Sequence, residues 1–203
     1  LVIVVSDHGD MAGEHGLYAK KTYYRGSMQV PLIVRFPARC AKDRVVEHLV
    51  DPSVDIMPTI LELCGIPTPD AVQGESFRPL LEGHAGPVRS AIHYEIIMER
   101  EGPECFPVPE RGIRTREWLY VRTADGPKVL FDLGTDPHEM DNLVASPDHA
   151  DIIASFDRQM AEHMARTNDC WNIEAVFPPP HFQTHAEGSR HVKALLKSVI
   201  MES

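Results

Sequence analysis

The sequence predicts an α/β chain: the last part of a mixed-sheet core over residues 1–88, a small four-stranded antiparallel sheet with a packed helix over 89–170, and a tail over 171–203. Three observations predict it. An apolar, mostly β-branched run, Leu1 to Val5, ends abruptly in Asp7, His8, Asp10, Glu14 and His15. After Gly83–Pro87 the pattern changes to short strands joined by turns, with Asp125-Gly126 as a hairpin signal. Ile152, Ile153, Phe156, Met160 and Met164 then repeat at i, i+3, i+4 spacing, the stripe of a helix packed on one face.

Residues 1–5 read as a buried, parallel-type strand, because both of its faces are apolar. Ser6 to Gly16 is a loop with Gly9, Gly13 and Gly16. Thr22 to Gln29 reads as a short helical turn, and Val30 to Phe36 as a second core strand stopped by Pro37. Val45 to Val50 is a strand candidate. Asp51-Pro52-Ser53 opens a helix with Ser53 as its N-cap, and Val54, Met57, Ile60, Leu61 and Cys64 fall on one face. Pro58 sits early in that helix, and Gly65 ends it. A Pro/Gly loop over 66–75 and a short helix over Phe77 to Leu81 follow.

Beyond the boundary, Ala91 to Met98, Gly112 to Glu117, Trp118 to Arg122 and Lys128 to Leu133 are the strands, with a charged, proline-containing excursion from Met98 to Pro109. Ser146-Pro147-Asp148 starts the long helix, since Pro suits a first helical position. After Pro178-Pro179-Pro180, a short amphipathic helix is expected near Val192 to Ile200.

Composition narrows the function. The 203 residues are 43% hydrophobic, enough for a sizeable core. Twenty Lys and Arg against 30 Asp and Glu give a formal charge of −10, which argues against binding driven by phosphate neutralisation along nucleic acid. No apolar run approaches the ~20 residues of a membrane-crossing helix. The chain begins inside a strand, without an initiator methionine or leader, and is expected to belong to a longer protein. Cys40, Cys64, Cys105 and Cys170 form no C-x-x-C. They point away from a thiolate zinc site and towards reduced, partly buried thiols, with two disulfides as the competing reading; a cytoplasmic location is favoured and a periplasmic or secreted one open.

The chemistry concentrates in the opening stretch. Asp7 and His8 follow a strand directly, where a bend lets a carboxylate and an imidazole reach one ion. Oxygen-rich surroundings would suit Ca²⁺, Mg²⁺ or Mn²⁺, and added nitrogens would suit Zn²⁺. The competing reading is a turn in which Asp7 only bonds the backbone. Lys20, 13 residues on, either clamps an oxyanion and stabilises charge on a leaving oxygen or is a solvated surface lysine. His15 either donates to the same anion or braces the loop. Asp10 and Glu14 fit loop hydrogen bonding better than catalysis.

S-D-H-G-D-M-x-G-E-H-G-L-Y-x-K, followed by V-P-L-I-V-R-F-P, resembles the C-terminal signature of the type I sulfatases in the alkaline phosphatase superfamily, as does the segment L-F-D-L-G-T-D-P-H-E-M-D-N-L from Leu130 and the helix D-I-M-P-T-I-L-E-L-C-G-I. Phosphonate monoester hydrolases and choline sulfatases share the signature. The similarity covers roughly residues 1 to 167. It implies an alkaline-phosphatase-like core and hydrolysis of sulfate esters, with phosphonate or phosphate esters as the alternative. It also implies one divalent cation, Ca²⁺ first and Mn²⁺ or Mg²⁺ next, and a formylglycine nucleophile. By match, Asp7 and His8 are metal ligands, Lys20 contacts the sulfate and the leaving-group oxygen, and His15 is the histidine of G-E-H-G on the substrate side.

One departure limits this. Formylglycine is made within C/S-x-P-x-R, and none of the four cysteines sits in that motif: Cys105 has the proline without the arginine. The family's paired aspartates and its mid-chain His and Lys are absent as well. The expectation is half a metal site and one anion clamp, inactive without the nucleophile-bearing segment or another subunit. The expected partners are a small sulfate-ester substrate and that missing segment, with a homo-oligomer open and no nucleic acid. A non-catalytic module that binds through exposed sheet edges is the competing class.

Overall fold

The computed structural model describes residues 1–20, 22–86, 89–96 and 109–171. The expected tail helix, the excursion between the first two strands of the small sheet, and Cys105 lie outside them.

The apolar opening forms β1 (Val2–Val5), which pairs antiparallel with β2 (Leu32–Arg35), from Val2 opposite Arg35 to Val5 opposite Leu32. This corrects the parallel, buried expectation. Val2, Val4, Val5 and Ile33 are exposed, because no described layer covers either face of the pair. A two-sided apolar run records that a strand is meant to be covered, but not by what.

After β2, residues 45–50 form no strand; they run as an irregular segment into α2 (Pro52–Leu63). The N-cap of α2 is Asp51, not Ser53. The Asp51 carboxylate accepts from the Ser53 N–H at 3.0 Å, and Pro52 occupies the first turn, where its missing N–H costs nothing. The buried face is also displaced from the apolar stripe. Asp55, Pro58, Thr59 and Leu63 are buried, while Met57 and Cys64 are exposed.

Polar burial explains the rotation. Asp55 accepts from the N–H groups of Asp51 and Glu75, each at 2.9 Å, and from Arg89 Nη2 at 2.5 Å. Thr59 donates to the Asp55 carbonyl and accepts from the Phe77 N–H. Buried polar groups are tolerated when satisfied in this way, and these bonds tie α2 to α3 (Arg78–Glu82) and to the approach to the small sheet.

That sheet comprises β3 (Ile92–Ile96), β4 (Glu110–Arg114), β5 (Trp118–Thr123) and β6 (Gly126–Asp132), all antiparallel in sequential order. The β5–β6 hairpin turns at Asp125-Gly126 as expected, with Gly126 at φ 141°. A single 3₁₀ turn, Pro147–His149, leads into α4 (Ala150–Thr167), whose Phe156 and Met160 are buried against Ile113, Tyr120 and Leu130. The expected stripe therefore packs on the sheet. Arg111 closes the far end: its guanidinium makes a two-pronged pair with Asp169, just past α4, at 2.5 and 2.7 Å.

The opposite face of the sheet carries Leu119, Val121, Val129 and Phe131, packed against Tyr23, Tyr24, Tyr94 and Leu133. The small sheet is thus covered by α4 on one side and, on the other, by the segment that follows the acid- and imidazole-bearing loop.

Candidate metal and anion site

The loop from Ser6 to Lys20 is folded back on itself. The Met11 N–H donates to the Ala19 carbonyl at 2.8 Å and the Gly13 N–H to the Leu17 carbonyl at 2.9 Å, so the chain returns to Met11 immediately before Lys20. Met11 is completely buried and anchors the fold of the loop. Asp10 accepts from the Ala12 N–H at 2.8 Å, the loop-bonding role its sequence position suggests.

The backbone is strained here in a way confined to few places among the described residues. Ala12, His15 and Ala19 have φ of 48°, 52° and 62°, beside Gly13 at 101° and Gly16 at 70°. Non-glycine residues in the left-handed region persist only where surrounding contacts hold them, and such residues cluster at functional sites.

Asp7 and His8 stand at the mouth of the loop. The Asp7 side chain is 86% exposed, and its Oδ1 lies 3.1 Å from the His8 N–H and 3.7 Å from His8 Nε2. His8 Nδ1 lies 2.7 Å from the Gly9 carbonyl oxygen. A carbonyl only accepts, so this bond places a proton on Nδ1, and in the neutral ring Nε2 then carries the lone pair, 3.7 Å from the Asp7 carboxylate. Two lone-pair donors side by side, with the second ring nitrogen held by a carbonyl, is the donor chemistry of a cation site. The two residues fit a divalent ion as a partial ligand set. Among the described residues no group of three or more His, Cys, Asp or Glu gathers around a common point.

Gly9 owes its identity to crowding. Its N–H donates to the Ser27 carbonyl at 2.8 Å, and a Cβ at this position would stand 1.9 Å from the Gly26 oxygen. The Asp7–Gly9 turn is thereby laid against α1 (Arg25–Met28). His15 stacks on Tyr24, with centroids 3.8 Å apart and planes 13° from parallel, an arrangement that braces the loop. Lys20 is exposed on the loop's return. The structure therefore brings Asp7 and His8 together and holds His15 and Lys20 on the same folded loop.

Two contributors escaped sequence reasoning. Tyr24, the stacking partner of His15, lies in a Tyr-Tyr pair whose orientation no periodicity reveals. Glu139 reaches the loop's support from the small-sheet unit, accepting from the Arg25 N–H at 2.7 Å, and its only signal is its place in the D-P-H-E segment.

The fold and this loop can be set beside those of known proteins. The chain belongs to the family of N-sulphoglucosamine sulphohydrolase C-terminal domains, whose profile matches residues 13–166. It is 32% identical to a choline-sulfatase of Rhizobium meliloti, over 86% of this chain and 32% of that protein. It is 31% identical to the multifunctional alkaline phosphatase superfamily protein PehA of Trinickia caryophylli, over 77% of this chain and 32% of that protein.

Among solved structures, a putative sulfatase from Bacteroides thetaiotaomicron superposes with a TM-score of 0.76 at 28% identity, covering 83% of this chain and 36% of that one. The phosphonate monoester hydrolase of Agrobacterium radiobacter gives 0.71 at 28% identity, covering 82% and 35%. The chain thus spans about a third of the length of the relatives it matches. Sulfatases generally use a divalent metal and a formylglycine.

Proposed function

We propose that this chain is the metal and anion arm of a sulfuric ester hydrolase whose nucleophile lies on residues outside it. The observation that carries the reading is the Asp7–His8 pair: an exposed carboxylate 3.7 Å from the imidazole nitrogen that the bond from Nδ1 to Gly9 leaves with the lone pair in the neutral ring. Asp7 and His8 would hold the cation, Ca²⁺ by preference, since its coordination is flexible and oxygen-rich. That ion, when bound, would neutralise the ester's anionic oxygens. Lys20 contributes a mobile ammonium on the same loop. There it pairs with the sulfate and stabilises the negative charge that develops on the leaving oxygen as the ester bond breaks. His15, held flat against Tyr24, is read as the substrate-side histidine by its match to G-E-H-G. A formylglycine on the remaining part of the enzyme would supply the attacking oxygen.

The test uses the complete enzyme and this chain side by side on an aryl sulfate with Ca²⁺. The complete enzyme is expected to turn over and the chain alone to show none. In the complete enzyme, Lys20→Ala should lower kcat by roughly 10²–10³, the size of losing one charge-stabilising donor. Asp7→Asn and His8→Ala should raise the Ca²⁺ concentration needed for half activity. Turnover by the isolated chain, or unaltered metal dependence in both ligand variants, would refute the assignment.

A phosphonate or phosphate ester is the second reading, supported by the likeness to the phosphonate monoester hydrolase and to PehA. Relative kcat/KM on matched sulfate and phosphonate esters decides between them. The exposed apolar faces of β1 and β2 support a further element: the rest of the enzyme, on the same polypeptide or another subunit, covers this strand pair. Light scattering that finds the isolated chain a stable monomer would count against that element and against a homo-oligomer.

A further inference from the structure

We propose that Glu139, in the small-sheet unit, is a positioning residue for the Asp7–His8 loop, acting through α1. This rests on the reading of that loop as the metal arm. Glu139 is 2% exposed and its carboxylate is divided between two partners. Oε1 accepts from Arg114 Nη1 on β4 at 2.8 Å, and Oε2 accepts from the Arg25 N–H at 2.7 Å. Arg25 is the first residue of α1, so its N–H has no partner within the helix, and an acceptor supplied from elsewhere fixes where the helix begins.

The turn that carries Glu139 is closed on itself. Asp136 accepts from the N–H groups of Met140 and Asp141 at 2.7 and 2.8 Å, and its carbonyl accepts from the Glu139 N–H. Glu139 itself sits at φ 58°, outside the region a side-chain-bearing residue prefers. This costly conformation sends the carboxylate away from solvent and onto the start of α1.

From α1 the support passes to the loop by contacts already short. The Ser27 carbonyl accepts from the Gly9 N–H, and the Gly26 oxygen occupies the place of a Gly9 Cβ. At Gly26, the space a Cβ would need is bounded by Glu14 Oε2 at 3.0 Å and Met11 Sδ at 3.2 Å. Tyr24, one residue before α1, carries the His15 stack and lies 6.1 Å from Phe131 on the sheet. The Glu139 carboxylate therefore sets α1 against the sheet, and α1 sets both the Gly9 turn beside His8 and the Tyr24 platform under His15.

The experiment is hydrogen exchange read by mass spectrometry on the complete polypeptide, comparing peptides that cover residues 7–20 and 22–29 with one covering 118–132. Exchange reports local opening without reference to turnover, so its result stands whether or not the enzyme prefers sulfate esters. Glu139→Ala should speed exchange in the loop and α1 peptides about tenfold while the sheet peptide keeps its protection. Glu139→Gln, which retains an acceptor oxygen for Arg25, should recover most of the loop's protection. Met160→Ala, which opens the other face of the sheet, should loosen the sheet peptide first. Loop exchange unchanged in Glu139→Ala, or rising only in step with the sheet as in Met160→Ala, would overturn the proposal. If Glu139→Ala does not fold, Glu139→Asp, whose shorter side chain no longer reaches the Arg25 N–H, makes the same comparison against Met160→Ala, and unchanged loop exchange there would overturn the proposal.

Discussion

His93 on β3 and His163 on α4 stack face to face, with centroids 4.0 Å apart and planes within 1° of parallel. They join an outer strand of the small sheet to the helix that covers it, and Arg166 Nη2 lies 3.1 Å from His163 Nδ1. Burial lowers the pKa of His93 to about 4, with the nearby charges of His163, Arg166 and Arg89 adding to the effect. Burial and Arg166 also lower that of His163, against an opposite pull from Asp169 and Glu95. An unfolded histidine titrates near ~6.5, so below that value the unfolded chain takes up a proton the stacked pair resists. The stabilisation is complete above that pH and is lost as pH falls towards 4. The loss is at most about 1.4 kcal/mol per pH unit for each histidine, and less for rings that solvent partly reaches. The urea midpoint should accordingly be lower at pH 5 than at pH 7. His93→Phe, which keeps a stacking ring without the titration, should flatten that slope; a slope equal to the parent's would show that the acid sensitivity arises elsewhere.

Asp55 predicts a larger effect from a single site. Its carboxylate satisfies two backbone N–H groups and Arg89, and its side chain is 5% exposed. Removing one partner of a buried ion pair leaves the other charge without compensation, at a cost of about 3–5 kcal/mol. Asp55→Ala should therefore destabilise strongly in chemical denaturation, with Arg89→Ala giving a comparable loss. The double variant should lose less than the sum of the two, since each single change already breaks the same pair.

Gly112 tests packing between the strands of the small sheet. A Cβ there would fall 1.9 Å from Tyr94 Cζ, and the Tyr94 ring is paired across from it, Tyr94 opposite Gly112. Gly112→Ala must displace that ring from the cluster it shares with Leu119, Val121 and Phe131. Overpacking of this kind costs about 1–3 kcal/mol. Restoring space with Gly112→Ala/Tyr94→Leu should recover part of the loss in thermal unfolding; no recovery would place the strain in the backbone instead.

The small sheet was the most legible part of the chain because its signals are local. Strand runs, the Asp125-Gly126 turn and the α4 stripe each depend on neighbours in sequence, and all three appear in the structure, with the strand expected at Gly112–Glu117 moved back to Glu110–Arg114 and residues 115–117 forming the connection to β5. α2 was legible in extent but not in facing, because the Asp55 and Thr59 hydrogen bonds reach Glu75, Phe77 and Arg89, partners that periodicity does not see. β1 and β2 were legible as strands but not in pairing, since an apolar run on both faces is compatible with either direction. The site followed the same division. Asp7, His8, His15 and Lys20 stand out by chemistry and spacing within one loop, whereas Tyr24 and Glu139 matter through contacts that only folding creates, Glu139 across 114 residues of sequence.

Gly9 offers the sharpest test of how the loop is held. The backbone approach at Gly26 leaves no room for a methyl group: an alanine Cβ would stand 1.9 Å from the Gly26 oxygen and 3.1 Å from the Ser27 oxygen. Backbone cannot yield as a flexible side chain does, so Gly9→Ala must push the turn off α1 and lose the bond from the Gly9 N–H to the Ser27 carbonyl. The Gly9 carbonyl moves with it, and that oxygen is what keeps the proton on His8 Nδ1 and Nε2 available. The small sheet shares no atom with this contact. Gly9→Ala should therefore weaken Ca²⁺ binding by the complete enzyme at least tenfold in calorimetric titration, while protection of residues 118–132 from hydrogen exchange stays at the parent level. Loss of both together would mean that the turn supports the fold as a whole. Parental Ca²⁺ affinity despite the displaced turn would remove His8 from the ligand set and leave Asp7 as this chain's contribution to the metal.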